Sequence, residues 1–455
     1  MHCVSTEKNM KRFFETLRNI SKIEELKKRI LYTLGIIVIY RIGTFVVLPG
    51  VDPAYLGALQ QQASDGILGL LNMFSGGAFS QASIFALGIM PYISASIVMQ
   101  LMGMMVPYFQ KMQREGESGR RKMNQYTRLL TIGITIPQAY AYLTNLGNMV
   151  PAEGITPFDG GAPGLFFWIS SIVILTAGTL FVMWLGERIT EKGIGNGISM
   201  IIMIGIIAQL PFALFAEFIS RMEETGGGGL VVFAIQLLVL LAVILLCILL
   251  VQGTRRIPVQ YAKRIVGNKQ YGGVRQYLPM KVNSAGVMPI IFAQAIMFIP
   301  ITLAGFAGDG SGAFVRALTD WGGFWYNLMF GLIIIMFTYF YTAVTMNPQQ
   351  ISDDLKKNGG FIPGVKPGRQ TAEFIDGVIS RIVLPGSIFL AFVAVLPAII
   401  MQFGVTMQFA QFYGGTSLLI MVGVVLDTLQ QIESHLLMRH YDGLTKSGRI
   451  KGRMG

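Results

Sequence analysis

Three histidines and two cysteines are the only imidazole and thiol groups that these 455 residues offer a transition metal, and their positions argue against such a site. His2, His435 and His440 stand outside or at the edge of long apolar blocks, where a proton relay would find no buried partner. Cys3 lies in the polar N-terminus and Cys247 deep in an apolar block, so no disulfide is expected, and neither has metal-ligand neighbours. There is no P-loop, no dinucleotide fingerprint and no GxSxG. The glycines of GIGNG (Gly193 to Gly197) lack the spacing of a phosphate cradle and read as a tight turn between two apolar blocks. Ion-coupled transport usually shows as carboxylates or ion pairs inside spans. Here Arg41 lies within a block, while Glu187, Glu217 and Asp427 sit near block ends. Arg41 reads as an anchor from the first block to neighbouring helices. No catalytic residue, metal or cofactor is expected.

The block interiors offer isoleucine and small polar residues instead. Ile89 and Ile93 are four apart and share one helix face, as do Ile202 and Ile206. On spacing alone that pattern means packing or lipid contact. Ser94, Ser96, Gln100 and Gln294 are less comfortable in lipid and should hydrogen-bond between helices or face water. A seam that opens and reseals would suit such contacts, and static packing would suit them equally. Outside the blocks, residues 252–283 hold Arg255, Arg256, Lys263, Arg264, Lys269, Arg275 and Lys281 with no acidic residue. Such a loop should attract a large polyanion. The alternative is that it sets topology and touches lipid headgroups.

These residues must be positioned by membrane helices. The chain is 53% hydrophobic and 13% charged, with mean hydropathy +0.56. Apolar blocks of about twenty residues, the length that crosses a bilayer, predict ten spans: 29–48, 84–106, 126–146, 165–185, 198–218, 230–251, 285–304, 324–344, 378–400 and 414–433. The charged opening MHCVSTEKNMKRFF predicts no cleavable signal. Of the 36 lysines and arginines, all but Arg41, Arg221, Arg316 and Arg381 fall in the termini and loops of one side. Positive-inside bias therefore places both termini in the cytoplasm, with Arg221 and Arg316 in the short outer loops. Residues 1–28 are basic and amphipathic, a helix that lies on an anionic membrane or a solvated lead-in. Residues 434–455 form a basic tail. An odd number of spans in each half, 29–218 and 230–433, would invert one half relative to the other.

One stretch does not fit a simple span. Ile67 to Phe74 is about half of a crossing, and Ser75-Gly76-Gly77 breaks it before a full span begins at Ile84. Non-helical backbone at membrane depth survives only where protein covers it or water fills a cavity. The pattern implies a cavity with something short folded into it.

Those residues also carry a resemblance. NMFSGGAFSQASIFALGIMPYISASI (Asn72 to Ile97) resembles the plug and second transmembrane helix of the SecY family, the bacterial protein-conducting channels. The similarity continues through REGESGRRKMNQYTR (Arg114 to Arg128), MWLGERITEKGIGNGISMII (Met183 to Ile202) and RRIPVQYAKR (Arg255 to Arg264). It then includes LPMKVNSAGVMPIIFA (Leu278 to Ala293), FYTAVTMNPQQISDDLKKNGGFIPGVKPG (Phe340 to Gly368) and YGGTSLLIMVGVVLD (Tyr413 to Asp427). The chain is identified as a bacterial member of that family.

The resemblance implies an all-α polytopic membrane protein of the plasma membrane. Its ten transmembrane helices would form two inverted five-helix halves around an hourglass pore, with a short plug half-helix at 66–80 that includes Asn72, Met73, Phe74, Ser75, Gly76 and Gly77. It implies a constricting ring of Ile89, Ile93, Ile202, Ile206, Ile291 and Ile420, whose branched side chains shed water and yield around a passing chain. It implies a lateral gate between Ser94 and Gln100 on one side and Gln294 to Ile299 on the other. The loops 252–283 and 345–377 would meet the ribosome, through ribosomal RNA, or the motor ATPase SecA. Arg255, Arg256, Lys263, Arg264, Lys366 and Arg369 are the docking candidates. SecE-like and SecG-like subunits, nascent chains with signal peptides and the lipid bilayer complete the implied partners. Lys366 departs from the family, which usually has arginine there, and so loses the planar fork. The rivals are a secondary transporter, which needs a buried charge or polar pocket near a midplane, and a membrane-embedded enzyme, which needs a nucleophile, metal or base.

Overall fold

The computed structural model describes residues 24–57, 69, 72–150, 154–155, 164–224, 229–261, 264–266, 269–271, 275–294, 296–297 and 322–447. The chain divides into two compact units, residues 1–209 with 424–455 and residues 210–423. Residues 1–23, most of the expected half-helix before Asn72, Lys263, Ile299 and the end of the basic tail lie outside the described residues.

In the first unit, α1 (Glu24–Gly43) opens with acidic Glu24 and Glu25, which favour a helix N-terminus, and ends well before the expected boundary at 48. Its continuation is extended, because Leu48 N–H donates to Ala82 C=O and Ile84 N–H to Val46 C=O, both at 2.9 Å. That clasp consumes the backbone that would otherwise have started the second span. Ala82, with φ +46°, turns the chain there, and α2 (Met90–Met105) begins six residues later than expected. Pro107 stops α2, since the residue before a proline avoids helical geometry and Val106 is extended. A short α3 (Pro107–Arg114) leads to α4 (Glu117–Met149) and then α5 (Leu165–Lys192). Leu48, Phe79, Ala82, Ala86, Ala139, Leu143, Leu146 and Leu175 form one apolar core among these elements. The GIGNG segment is the expected tight turn. Its Ile194 N–H donates to Thr33 Oγ1 (3.2 Å), and its Gly195 N–H donates to Gln431 Oε1 (2.9 Å). From it runs α6 (Gly197–Glu224), which passes into the second unit beside Pro211.

The second unit holds α7 (Gly229–Gln252), whose Leu230, Val231, Leu238, Leu241, Leu245 and Leu249 are exposed, as lipid contact requires. Residues 288–294 are helical at the seventh expected span. Further on, α8 (Phe324–Thr345) packs against α10 (Arg369–Met401), with the amphipathic α9 (Pro348–Lys357) between them in sequence. A short α11 (Met407–Ala410) precedes α12 (Gly415–Ser447). Every expected span thus coincides with helix among the described residues. Among the described residues six helices are long and apolar enough to cross a membrane, or seven with the bent pair formed by α2 and α3.

The two long loops add an element outside the all-α expectation. β1 (Thr254–Tyr261) pairs antiparallel with β4 (Arg275–Lys281) on one side and β5 (Gly360–Phe361) on the other. Between β1 and β4, β2 (Arg264–Val266) and β3 (Lys269–Tyr271) form a separate hairpin. Ile257, Val259 and Met280 turn inward onto Leu355, Ile362, Ile375 and Val378, so the sheet is seated on α9 and α10.

Candidate functional site

The broken stretch is folded into the first unit. Residues 72–74 are a helical turn, and the chain then closes on itself. Ser75 Oγ donates to Asn72 C=O and accepts from Phe79 N–H, both at 3.1 Å. Asn72 Oδ1 accepts from Ser80 N–H (3.1 Å), and Gly77 N–H donates back to Asn72 C=O (2.9 Å). Gly76 (φ +69°) and Gly77 (φ +90°) supply the left-handed backbone that this turn needs, which side chains other than glycine resist. Every residue from Met73 to Ser80 is buried.

Three helices hold the loop. Tyr40 on α1 donates its hydroxyl to Ser75 C=O (3.1 Å), and Arg41 Nη1 donates to Gly76 C=O. Tyr142 on α4 donates to Phe79 C=O (2.9 Å) and meets the Phe79 ring edge-on. On α6, a Cβ added to Gly205 would sit 3.0 Å from Phe74 O and 3.2 Å from Gly76 N, so the loop backbone lies directly on that helix. Arg41 therefore anchors α1 as expected, but to the broken stretch and not to another helix.

The isoleucines divide between the units. Ile89 caps α2, with Ile93 N–H donating to its carbonyl (3.1 Å), so the two stand one helical turn apart. Ile202 and Ile206 are buried one turn apart on α6. In the second unit Ile291 is half-buried in the helical residues 288–294, and Ile420 is buried in α12. Ser94 Oγ spends its hydrogen bond on Met90 C=O of its own helix (3.2 Å), whereas Gln100 Oε1 is buried with no partner among the described residues. Gln294 Nε2 donates to Thr416 Oγ1 (3.4 Å), tying the seventh span to the start of α12.

Of the basic candidates, Arg255 and Arg256 are exposed on β1, and Arg264 begins β2. Lys366 is exposed in the turn before α10, where its backbone carbonyl accepts from Thr371 Oγ1 (2.9 Å). Arg369 is exposed and pairs with Glu373 (3.1 Å). The sheet brings residues of both loops into one surface, since Gln260 on β1 pairs with Phe361 on β5.

A second polar cluster went unread in the sequence. Arg221 belongs to α6 rather than to an outer loop, and with Glu217 it forms a buried ion pair (2.9 Å) at helical i,i+4 spacing. Glu217 also accepts from Gln236 Nε2 (2.9 Å) and Thr406 N–H (2.8 Å), and Arg221 donates to Gly404 C=O. Tyr413 donates to Gln236 C=O (2.8 Å). An acid four residues before an arginine inside an apolar helix was the available signal. Among the described residues no group of histidine, cysteine and carboxylate side chains could hold a metal.

A family model described as SecY matches residues 83–429. The protein translocase subunit SecY of Streptomyces galbus is 43% identical over 431 residues, 93% of this chain and 97% of that one. The counterpart in Mycobacterium tuberculosis H37Rv is 44% identical over 450 residues, 95% of this chain and 99% of that one. Among solved structures, a protein-conducting channel superposes with a TM-score of 0.61 at 16% identity, over 94% of this chain and 95% of that chain. Sec61 in the canine ribosome–channel complex from the endoplasmic reticulum gives 0.57 at 15% identity, over 94% and 95%. At those identities the superpositions show the fold, which is that of these channels.

Proposed function

The chain belongs to the SecY family, and we infer that it is the conduit of a protein translocase, through which unfolded secretory chains cross a membrane and from which apolar helices leave sideways into lipid. It is a channel subunit with no chemistry of its own, and the work comes from a motor ATPase such as SecA or from a translating ribosome. The observation that carries this reading is the buried loop from Met73 to Ser80, a non-helical segment folded in among membrane helices and held largely through its carbonyls. Such a segment can be displaced and reseated without unfolding the helices around it.

In this reading the loop is the plug. Ile89, Ile93, Ile202, Ile206, Ile291 and Ile420 are the ring that sheds water behind it. Ser94, Gln100, Gln294 and Ile299 border the lateral exit, where a signal peptide's apolar helix gains by leaving water. The cations of the 252–283 loop suit the phosphates of ribosomal RNA, as that loop contains no acid to compete for them. The similarity to Sec61 in a ribosome–channel complex supports a ribosomal partner. The membrane is the bacterial plasma membrane with both termini cytoplasmic, and SecE-like and SecG-like subunits complete the assembly. A transporter would need an unmatched polar site. The buried acid nearest to one, Glu217, is instead matched by Arg221, Gln236 and Thr406.

A photo-crosslinker at Ile93, in proteoliposomes given a stalled precursor and the motor ATPase, tests the path. It should crosslink to the mature part of the precursor only with ATP. Translocation without that crosslink would place the path elsewhere and return the isoleucines to packing.

A further inference from the structure

Two consecutive side chains in the last turn of α1 hold two consecutive carbonyls of the buried loop. Tyr40, 1% exposed and stacked on Phe85, donates to Ser75 C=O, and Arg41 donates to Gly76 C=O while its guanidinium lies 4.9 Å from the Phe45 ring centroid. Among the described residues no carboxylate lies within ion-pair distance of Arg41. A cation inside a membrane helix is costly and normally marks function. A Cβ on Gly76 would stand 3.0 Å from Gly205 Cα and 3.4 Å from Arg41 Nη1, so the loop and α6 meet backbone to backbone beside the guanidinium.

We propose that Tyr40 and Arg41 are a release latch on the Ser75–Gly76 turn, and that Gly205 is the flat seat on which the latched turn rests. The proposal rests on reading residues 66–80 as a plug. The choice of partner sets the strength of the latch. A carbonyl accepts a charge-assisted hydrogen bond from Arg41, which is stronger than a neutral one. It carries no net charge, however, so its departure leaves a guanidinium that entering water can satisfy. A carboxylate in its place would make release far more costly. Because the two donors are neighbours and so are the two acceptors, displacing either carbonyl withdraws the other. The turn therefore leaves and returns as a unit.

The test uses the full chain with its co-purified subunits in proteoliposomes, reading the resting leak of a small anion without the motor. Four backgrounds are compared: Arg41→Gln, Tyr40→Phe, a deletion of residues 72–80, and the deletion combined with Arg41→Gln. The expected result is a rise in leak of about tenfold for Arg41→Gln and about threefold for Tyr40→Phe, the order of a charged and a neutral hydrogen bond. The deletion should leak most, and adding Arg41→Gln to it should change nothing further. A deletion that leaks while neither point variant does would overturn the latch and leave the plug reading intact. A deletion that does not leak would overturn the plug reading. An Arg41→Gln effect that persists on top of the deletion would show general damage to α1 and would also overturn the latch. Arg41→Lys, which keeps one charged donor, should restore most of the closure.

Discussion

Arg41 and Arg221 are both arginines within membrane helices, and the molecule treats them in opposite ways. Arg221 lies one helical turn from Glu217, a fully buried carboxylate that also accepts from Gln236 and Thr406. Arg41 has a neutral carbonyl and an aromatic ring. A buried ion pair whose remaining lone pairs are satisfied by neighbours is stable because each partner left alone would be a desolvated charge. That arrangement fastens α6, α7 and the segment before α12 into one piece. Arg41 fastens α1 to a loop instead, through a contact that water can replace. The difference separates a permanent joint from a reversible one, and the reversible one lies at the segment proposed as the plug.

The largest effect should come from breaking the permanent joint. Glu217→Gln removes the buried carboxylate that Arg221 pairs with, at a cost of ~3–5 kcal/mol in stability. Thermal unfolding of the purified complex should show a clear fall in midpoint, whereas Arg41→Gln should shift it little while opening the resting channel. Equal losses of stability in the two variants would mean that both arginines are structural and would erase the comparison.

The next effect is steric. Gly205→Ala places a methyl 3.0 Å from Phe74 O and 3.2 Å from Gly76 N, with backbone on both sides and no flexible side chain to give way. Overpacking of this kind costs ~1–3 kcal/mol. Here it falls on the seated loop, because α6 is a continuous helix and the loop is the element that can lift. The variant should fold, translocate and leak at rest. A normal resting leak would show that the loop has room to shift, and would weaken the distinction between a rigid seat and a releasable turn.

What the sequence disclosed follows from the same physics. The spans were legible because the bilayer demands length and apolarity together, and helix stands at each of the ten. The break at Ser75-Gly76-Gly77 was legible because glycine is the residue that such a turn needs. The boundaries of the first two spans were not. Val46 to Leu48 is as apolar as any helix, and its pairing with Ala82 to Ile84 makes it extended. The sheet was hidden by its charge: in TRRIPVQY the inward pair Ile257 and Val259 alternates as a strand should, but the arginines beside them made the segment look like a plain basic loop. Glu217 stands near a span end, where a charge is ordinary, and only its i,i+4 spacing to Arg221 marks it as one half of a pair. What no pattern could supply was the partner of Arg41, because 35 residues separate it from the carbonyl that it holds.

The smallest effect belongs to a third kind of cation. Lys366 is exposed in the turn before α10, and among the described residues no acid pairs with it. Neighbouring Arg369 already leans on Glu373. If a carboxylate or phosphate of the motor or ribosome meets this turn, Lys366 offers it a point charge, where arginine would offer two parallel donors in a fixed plane. The contact is solvated, so the gain from Lys366→Arg should stay within ~1 kcal/mol, less than about fivefold in ATP-driven transport. It should also shrink as salt is raised. Unchanged transport at low salt would place the docking contact on Arg255 and Arg256 instead. A gain that resists salt would mean that the turn is buried on docking, and Lys366 would then behave more like Arg221 than like a surface charge.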